Sequence, residues 1–211
     1  MHETFARLVA DAANCTLCPA MCGRSAVLSE LNGLPPVHVL FIGEAPGRKG
    51  ADRTRVPFSG DQSGVNFDRF LQSIGLERRR IFITSAALCN PRTDSGANRR
   101  PTQKEIANCS GFLRRTIETV NPHVIVTLGS VALDALKRIH YHELNLKDSA
   151  AKIHSWNSRV LVPIYHPSPQ VLASHRREVE QLRDYQVVAE ALRKTGFREF
   201  TSGGRGRPRS Q

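Results

Sequence analysis

Two carboxylates, a histidine, an asparagine and a spaced set of cysteines carry the chemistry open to this sequence. Glu44 stands in Gly43-Glu44-Ala45-Pro46-Gly47, directly after the apolar run 39–42. Asp61 follows Pro57-Phe58-Ser59-Gly60 at the head of an amphipathic stretch. Carboxylates so placed can stabilise a developing cation, orient water or move a proton. Asp61 also holds the position of a helix N-cap, a purely structural alternative. His166 leaves the apolar run 160–165 into Pro167-Ser168-Pro169-Gln170, and imidazole can donate or accept a proton near neutrality. Asn98 lies in a turn-rich stretch ending at Pro101. Its amide offers one donor group and one acceptor, or else bonds its own backbone.

The chain has five cysteines. Cys15 and Cys18 form a CxxC pair, and Cys89 and Cys109 follow far downstream. No stretch approaches 18 consecutive apolar residues, and residues 1–30 lack the basic-then-apolar pattern of a signal peptide. A cytoplasmic, reducing location is therefore expected, where CxxC suggests metal, cluster or redox chemistry more than a structural disulfide. Four thiols grouped as CxxC…C…C can close a tetrahedral zinc site or hold a [4Fe–4S] cluster, and spacing does not separate the two. Cys109 also falls on the apolar face of its helix with Ile106, Leu113 and Ile117, so a buried inert thiol is its structural alternative. Cys22 is left over as a free thiol.

What must position these groups is a repeated strand-then-helix grammar. With 211 residues, 40% of them hydrophobic, the chain can bury one sizeable core. Strands are expected at 39–42, at 81–84 (continuing through 86–88 to Cys89), at 124–128 and at 160–165. Amphipathic helices follow the periodicity of Phe5, Leu8, Val9 and Ala12; of Phe67, Phe70, Leu71 and Ile74, closed by Gly75; and of Val179, Leu182, Tyr185, Ala189 and Leu192. Thr102 and Glu105 form a capping box, and Ser130 is the expected N-cap of a helix over 131–139. The alternation predicts a three-layer α/β/α sandwich around a central, mostly parallel four-stranded sheet. Right-handed crossovers then bring Glu44, Asp61, Cys89, Asn98 and His166 to the one edge where the parallel strands end.

These residues resemble a family. Gly43-Glu44-Ala45-Pro46-Gly47, Pro57-Phe58-Ser59-Gly60 and Tyr165-His166-Pro167-Ser168-Pro169 are similar to the three motifs of the uracil-DNA glycosylase superfamily. The cysteines resemble the ligand set of its iron–sulfur branch, families 4 and 5, at Cys15, Cys18, Cys89 and Cys109. Arg53-Thr54 with Gly60-Asp61-Gln62-Ser63-Gly64, and Asn98-Arg99-Arg100-Pro101-Thr102, look closest to family 5. The resemblance covers residues 10 to 195. It implies a DNA glycosylase of base-excision repair that hydrolyses the N-glycosidic bond of uracil, with other deaminated bases as further substrates, and a structural [4Fe–4S] cluster. It implies Asp61, Glu44, His166 and Asn98 as catalytic groups and Phe58 as the surface that stacks on the base. Gly43, Ala45, Gly47, Ser85 and Gln170 would complete the base pocket. Here Glu44 is like family 4. Ser85 stands where family 4 carries a uracil-reading Asn, Gly47 where another branch carries a bulky Tyr, and Gln170 where that branch inserts a Leu into DNA. Lys137-Arg138-Ile139-His140 has the residues of a covalent-crosslinking branch but follows the wrong strand, and reads as the basic last turn of a helix.

Charge agrees with a nucleic-acid partner. Lys and Arg number 30 against 19 Asp and Glu, a formal +11 with a pI near 10.1, which favours a polyanion. The expected organisation is a glycosylase-like domain over 1–198 and a disordered basic tail over 199–211. In that tail Gly204-Arg205-Gly206-Arg207-Pro208-Arg209 looks like an AT-hook, with Arg205, Arg207 and Arg209 in the minor groove. A monomer near the nucleoid, with no membrane partner, is expected. The rival reading is an inactive iron–sulfur or zinc DNA-binding protein on the same fold. A zinc deaminase is disfavoured, since no His-x-Glu precedes a Pro-Cys-x-x-Cys.

Overall fold

Strands form where alternating apolar residues find helices on both sides. In a computed structural model, which describes residues 4–21 and 23–197, the elements run α1 (Phe5–Ala13), β1 (Val39–Gly43), α2 (Ala51–Thr54), α3 (Gln62–Ser73), β2 (Ile81–Ser85), α4 (Gln103–Val120), β3 (Val124–Leu128), α5 (Ser130–Leu136), α6 (Leu146–Ser149), β4 (His154–Trp156), β5 (Arg159–Ile164), α7 (Pro169–Ser174) and α8 (Glu178–Lys194). Leu40, Ile42, Phe82, Ile125 and Leu161 point to one side, against α1, α4 and α5. Val39, Phe41, Ile81, Ile83, Val126 and Val162 point to the other, against α3 and α8. Burial on both faces is why these strands read as continuous apolar runs. The result is the expected three-layer α/β/α arrangement.

The sheet order is β2-β1-β3-β5-β4. β1 pairs in parallel with β2 and β3, and β3 with β5, while β4 runs antiparallel to β5. The expected count of four strands is thus corrected to five. The additional strand, β4, is only three residues, His-Ser-Trp, too short to show a period, and Trp156 alone is buried on it. From β1 the chain steps outward to β2 and then returns to the other side for β3. The crevice beyond β1 and β3 is therefore the switch point at which α/β sheets hold ligands.

Three boundaries move. β2 stops at Ser85, and Ala86 and Ala87 donate their N–H to the carbonyls of Gly43 and Glu44 at 2.9 and 3.0 Å. That clasp leaves Cys89 in a loop rather than at a strand end. Helix α5 begins at Ser130 itself, with Gly129 as N-cap at φ 95, and ends at Leu136 instead of running to Ile139. On α8, Val179 is exposed, and Gln181, Asp184 and Val188 are buried in addition to Tyr185, Ala189 and Leu192. No helix among the described residues is long and apolar enough to cross a membrane. Cys22 and the tail with Arg205, Arg207 and Arg209 lie outside the described residues.

Candidate active site

The parallel strands deliver their loops to one edge, and the loops close around a cavity of about 420 Å³. Glu44, Ala45 and Gly47 come from the loop after β1, Phe58 and Asp61 from the approach to α3, and Ser85 from the end of β2. Asn98 comes from the loop before α4, and His166 and Gln170 from the passage between β5 and α7; all nine line the cavity. Gly43 lies just beneath, where a Cβ would meet the Phe58 ring at 3.3 Å and the Ser85 hydroxyl at 3.7 Å. The convergence expected from topology is therefore present, except that Cys89 belongs elsewhere.

Asp61 is the helix cap, and the cap uses one of its two carboxylate oxygens. Its Oδ1 accepts from the Gly64 N–H at 3.0 Å and caps α3. Its Oδ2 lies over Gly47 and Gly50, where a Cβ would stand 3.3 and 2.3 Å away. Glu44 is half-buried, and burial raises its pKa, partly opposed by the positive charge of Arg100. Two carboxylates thus differ in kind. Asp61 has one oxygen committed to a backbone N–H, whereas Glu44 is the desolvated one.

Phe58 takes φ 51, a left-handed conformation that is uncommon for a residue with a side chain. Two features over-determine it. The Arg78 guanidinium donates to the carbonyls of Pro57 (2.8 Å) and Phe58. Gly64 passes so close that a Cβ there would lie 2.3 Å from the Phe58 oxygen. Phe67 backs the ring at 4.7 Å between centroids, and His166 stands 5.5 Å away at 37°. The His166 backbone is held by Gln181 Nε2, which donates to its carbonyl at 3.2 Å, and by Asn66 Nδ2, which donates to the Pro167 carbonyl at 2.8 Å. Burial depresses the imidazole to about 4, with Asp61 acting the other way. At neutral pH it is an uncharged ring, able to offer one N–H.

Asn98 departs from expectation. Its Oδ1 accepts from the Arg48 N–H and from Asn90 Nδ2, both at 3.0 Å. The acceptor is occupied within the protein, and Nδ2 has no hydrogen-bond partner among the described residues; it lies 3.7 Å from where a Cβ on Gly47 would stand. Arg78, Asn66, Asn90 and Gln181 were not singled out from sequence. Arg78 and Asn66 lie in or near the stretch already marked, but nothing local reveals their targets. The Lys137–His140 stretch is structural: Lys137 pairs with Asp134 at 2.8 Å, and the His140 carbonyl accepts from the Trp156 indole at 2.9 Å.

A second cluster sits beside α4. Burial, with the charges of Cys15 and Cys18 adding, pushes Cys89 to about 11. Burial again, then Cys89, Cys18 and Cys15, push Cys109 to about 12 against a backbone N–H. The charges of Cys15 and Cys18 reach both Cys89 and Cys109, and all four thiols are partly buried. Sulfur acceptors are also served: Leu88 N–H reaches Cys109 Sγ at 3.5 Å and Asn108 Nδ2 reaches Cys18 Sγ at 3.3 Å. Among the described residues no three His, Cys, Asp or Glu side chains are grouped to close on a single ion.

Residues 32–193 match the family model described as the Uracil DNA glycosylase superfamily. A type-4 uracil-DNA glycosylase of Saccharolobus solfataricus is 35% identical, covering 80% of this chain and 77% of that protein. A type-4 enzyme of Thermotoga maritima is 30% identical over 86% and 91% of the two chains. A type-5 uracil-DNA glycosylase of Pyrobaculum aerophilum is 31% identical over 86% and 87%.

Proposed function

The chain belongs to the uracil DNA glycosylase superfamily, and on that premise we propose that it hydrolyses the N-glycosidic bond of uracil in DNA as the first step of base-excision repair. The supporting observation is the convergence of Glu44, Asp61, Asn98, His166 and Phe58 on one cavity at the switch point of the sheet. Reaching a base inside a duplex requires flipping it out, at about a few kcal/mol. The Phe58 ring, backed by Phe67, is the face on which the flipped base stacks. As the bond breaks, positive charge grows on the sugar and negative charge on the base. Asp61 Oδ2 stabilises the cation and orients water, and Glu44 supports it. The neutral His166 donates a hydrogen bond to the departing base, a contribution typically worth about 3–4 kcal/mol.

The further substrate range, hypoxanthine and xanthine, is part of the same proposal: with Ser85, Gly43 and Gly47 the pocket carries small groups around the base. Cys15, Cys18, Cys89 and Cys109 would hold a [4Fe–4S] cluster that braces the fold. The reading is supported by four partly buried thiols, two of them already served by N–H donors from Leu88 and Asn108, a donor set of the kind such a cluster takes. The partner is DNA, engaged by a monomer in the cytoplasm near the nucleoid, with residues 199–211 as an added minor-groove contact through Arg205, Arg207 and Arg209. Single-turnover cleavage of duplexes carrying uracil, hypoxanthine, xanthine or a T·G mismatch tests the function. Product from uracil is expected. No product from any of them, from a protein that still binds the duplex, would favour the inactive DNA-binding protein instead.

A further inference from the structure

We propose that Asn90 is a positioning residue that fixes which end of the Asn98 amide faces the cavity, so that the site accepts a carbonyl oxygen and refuses an amino group. The inference rests on reading the cavity as the base pocket. An amide can turn over by 180° unless its partners forbid it. Here each link in a chain of contacts has its direction set by a group that can only donate or only accept.

The chain begins at Asp52 on α2, whose carboxylate binds Arg92 Nη2. A guanidinium has no acceptor, so Arg92 Nε, 2.5 Å from the Asn90 side chain, must meet its oxygen. The Asn90 amide nitrogen is fixed independently, because its 2.6 Å partner is the Pro46 carbonyl. The same Nδ2 then donates its other hydrogen to Asn98 Oδ1 at 3.0 Å. That oxygen is pinned a second time by the Arg48 backbone N–H. Asn90 itself is 1% exposed, so water cannot substitute for these partners. An antiparallel bridge between Arg92 and Asn98 holds the two ends of the intervening turn together. What remains for the cavity is Asn98 Nδ2, a donor.

The consequence is chemical. Deamination replaces an exocyclic amino group with a carbonyl. Uracil, hypoxanthine and xanthine carry that carbonyl, and cytosine, adenine and guanine carry an amino group in its place. A fixed donor pairs with the first set and opposes the second. The polarity of one buried amide thus separates uracil from cytosine, and hypoxanthine from adenine, at the carbon where the amino group was lost, while thymine, which keeps the same carbonyl as uracil, is not refused by it.

The test is a double-mutant cycle on the full-length protein, read as single-turnover cleavage of a uracil duplex at saturating enzyme, with thermal melting as a check on folding. Asn90→Asp keeps the shape and removes the donor. It should slow cleavage about ten- to a hundredfold, because the bonds from Asn90 Nδ2 to the Pro46 carbonyl and to Asn98 Oδ1 are lost together. Asn98→Ala should lose as much, and the double variant should be within about twofold of Asn98→Ala alone. Losses that multiply would overturn the relay while leaving the base pocket intact. An Asn98→Ala enzyme as fast as the parent would overturn the pocket reading and this inference together. Should Asn90→Asp fail to fold, Asn98→Asp presents an oxygen where the donor was and should be no faster than Asn98→Ala on uracil; a faster enzyme would refute the assignment.

Discussion

Gly50→Ala displaces Asp61 without replacing it. A Cβ on Gly50 would lie 2.3 Å from Asp61 Oδ2 and 2.9 Å from Cγ, about 1 Å inside ordinary contact. The carboxylate is not a loose end that can swing away, because Oδ1 is bonded to Gly64 N–H at 3.0 Å at the head of α3. It must therefore either rotate and weaken the cap, at about 1 kcal/mol, or carry the start of the helix with it. Either response moves Oδ2 by about 1 Å, and a displacement of that size at a reacting centre can cost about 10²-fold. Single-turnover cleavage of a uracil duplex should fall by about that factor, and the melting temperature by a few degrees. Gly111→Ala on α4 is the matched control: a Cβ there meets nothing within 4 Å, so activity should be unchanged and stability equal or slightly higher. Gly50→Ala protein that cleaves within about threefold of the parent would show that the position of Asp61 Oδ2 is not needed, and the assignment of Asp61 would fall.

Three further outcomes are expected. Asp61→Ala should lose about 10²–10⁴ in cleavage rate while still binding DNA, and Glu44→Gln should cost less; the reverse order in the same assay would make the desolvated carboxylate the principal one. The ring of His166 is protonated only near pH 4, so cleavage should show no step at 6.5, and an inflection there that vanishes in His166→Gln would require an imidazolium. The unfolded ring, at about 6.5, binds its proton first, so the contribution to stability present above 6.5 is lost as pH falls from 6.5 towards 4, which urea titrations of parent and His166→Gln can measure. Purified protein should carry about four irons per chain, lost in Cys89→Ser and kept in Cys22→Ser by iron assay and visible absorption.

The sheet was legible because its strands are buried on both faces, and long apolar runs between helical periods leave few alternatives. Val39 to Ile42 and Val124 to Leu128 have no other economical place in a fold of this size. What escaped was governed by contacts rather than by period. β4 exists because Trp156 buries its ring and donates to the His140 carbonyl 16 residues away, a reason no three-residue window contains. Helix α5 starts one residue early because Gly129 supplies the φ of 95 that turns the chain out of β3. The capping box at Thr102 and Glu105 was legible from spacing, but its reinforcement was not. Arg99 grips Glu105 through both nitrogens at 2.8 and 2.6 Å, holding that carboxyl down to about 2 and tying the Asn98 loop to α4.

The site divides the same way. Residue types and strand ends were enough to gather Glu44, Asp61, Asn98 and His166 at one edge, since parallel topology sends every strand end there. Sequence could not say what each group had left to offer once packed. Asn98 reads in isolation as a donor and an acceptor, yet its acceptor is taken by Arg48, 50 residues earlier, and by Asn90. Asp61 reads as either a cap or a catalyst; in the structure Oδ1 is spent on the cap, and Oδ2 is the atom on which the proposed catalytic role rests. Phe58 reads as a core or a stacking ring; Arg78, 20 residues on, holds its carbonyl, and the left-handed backbone leaves the ring beside His166 on the cavity wall. In each case the chemistry belongs to the atoms that remain unpaired after folding. That remainder is set by long-range polar contacts, which hydrophobic period does not encode and short motifs do not reach.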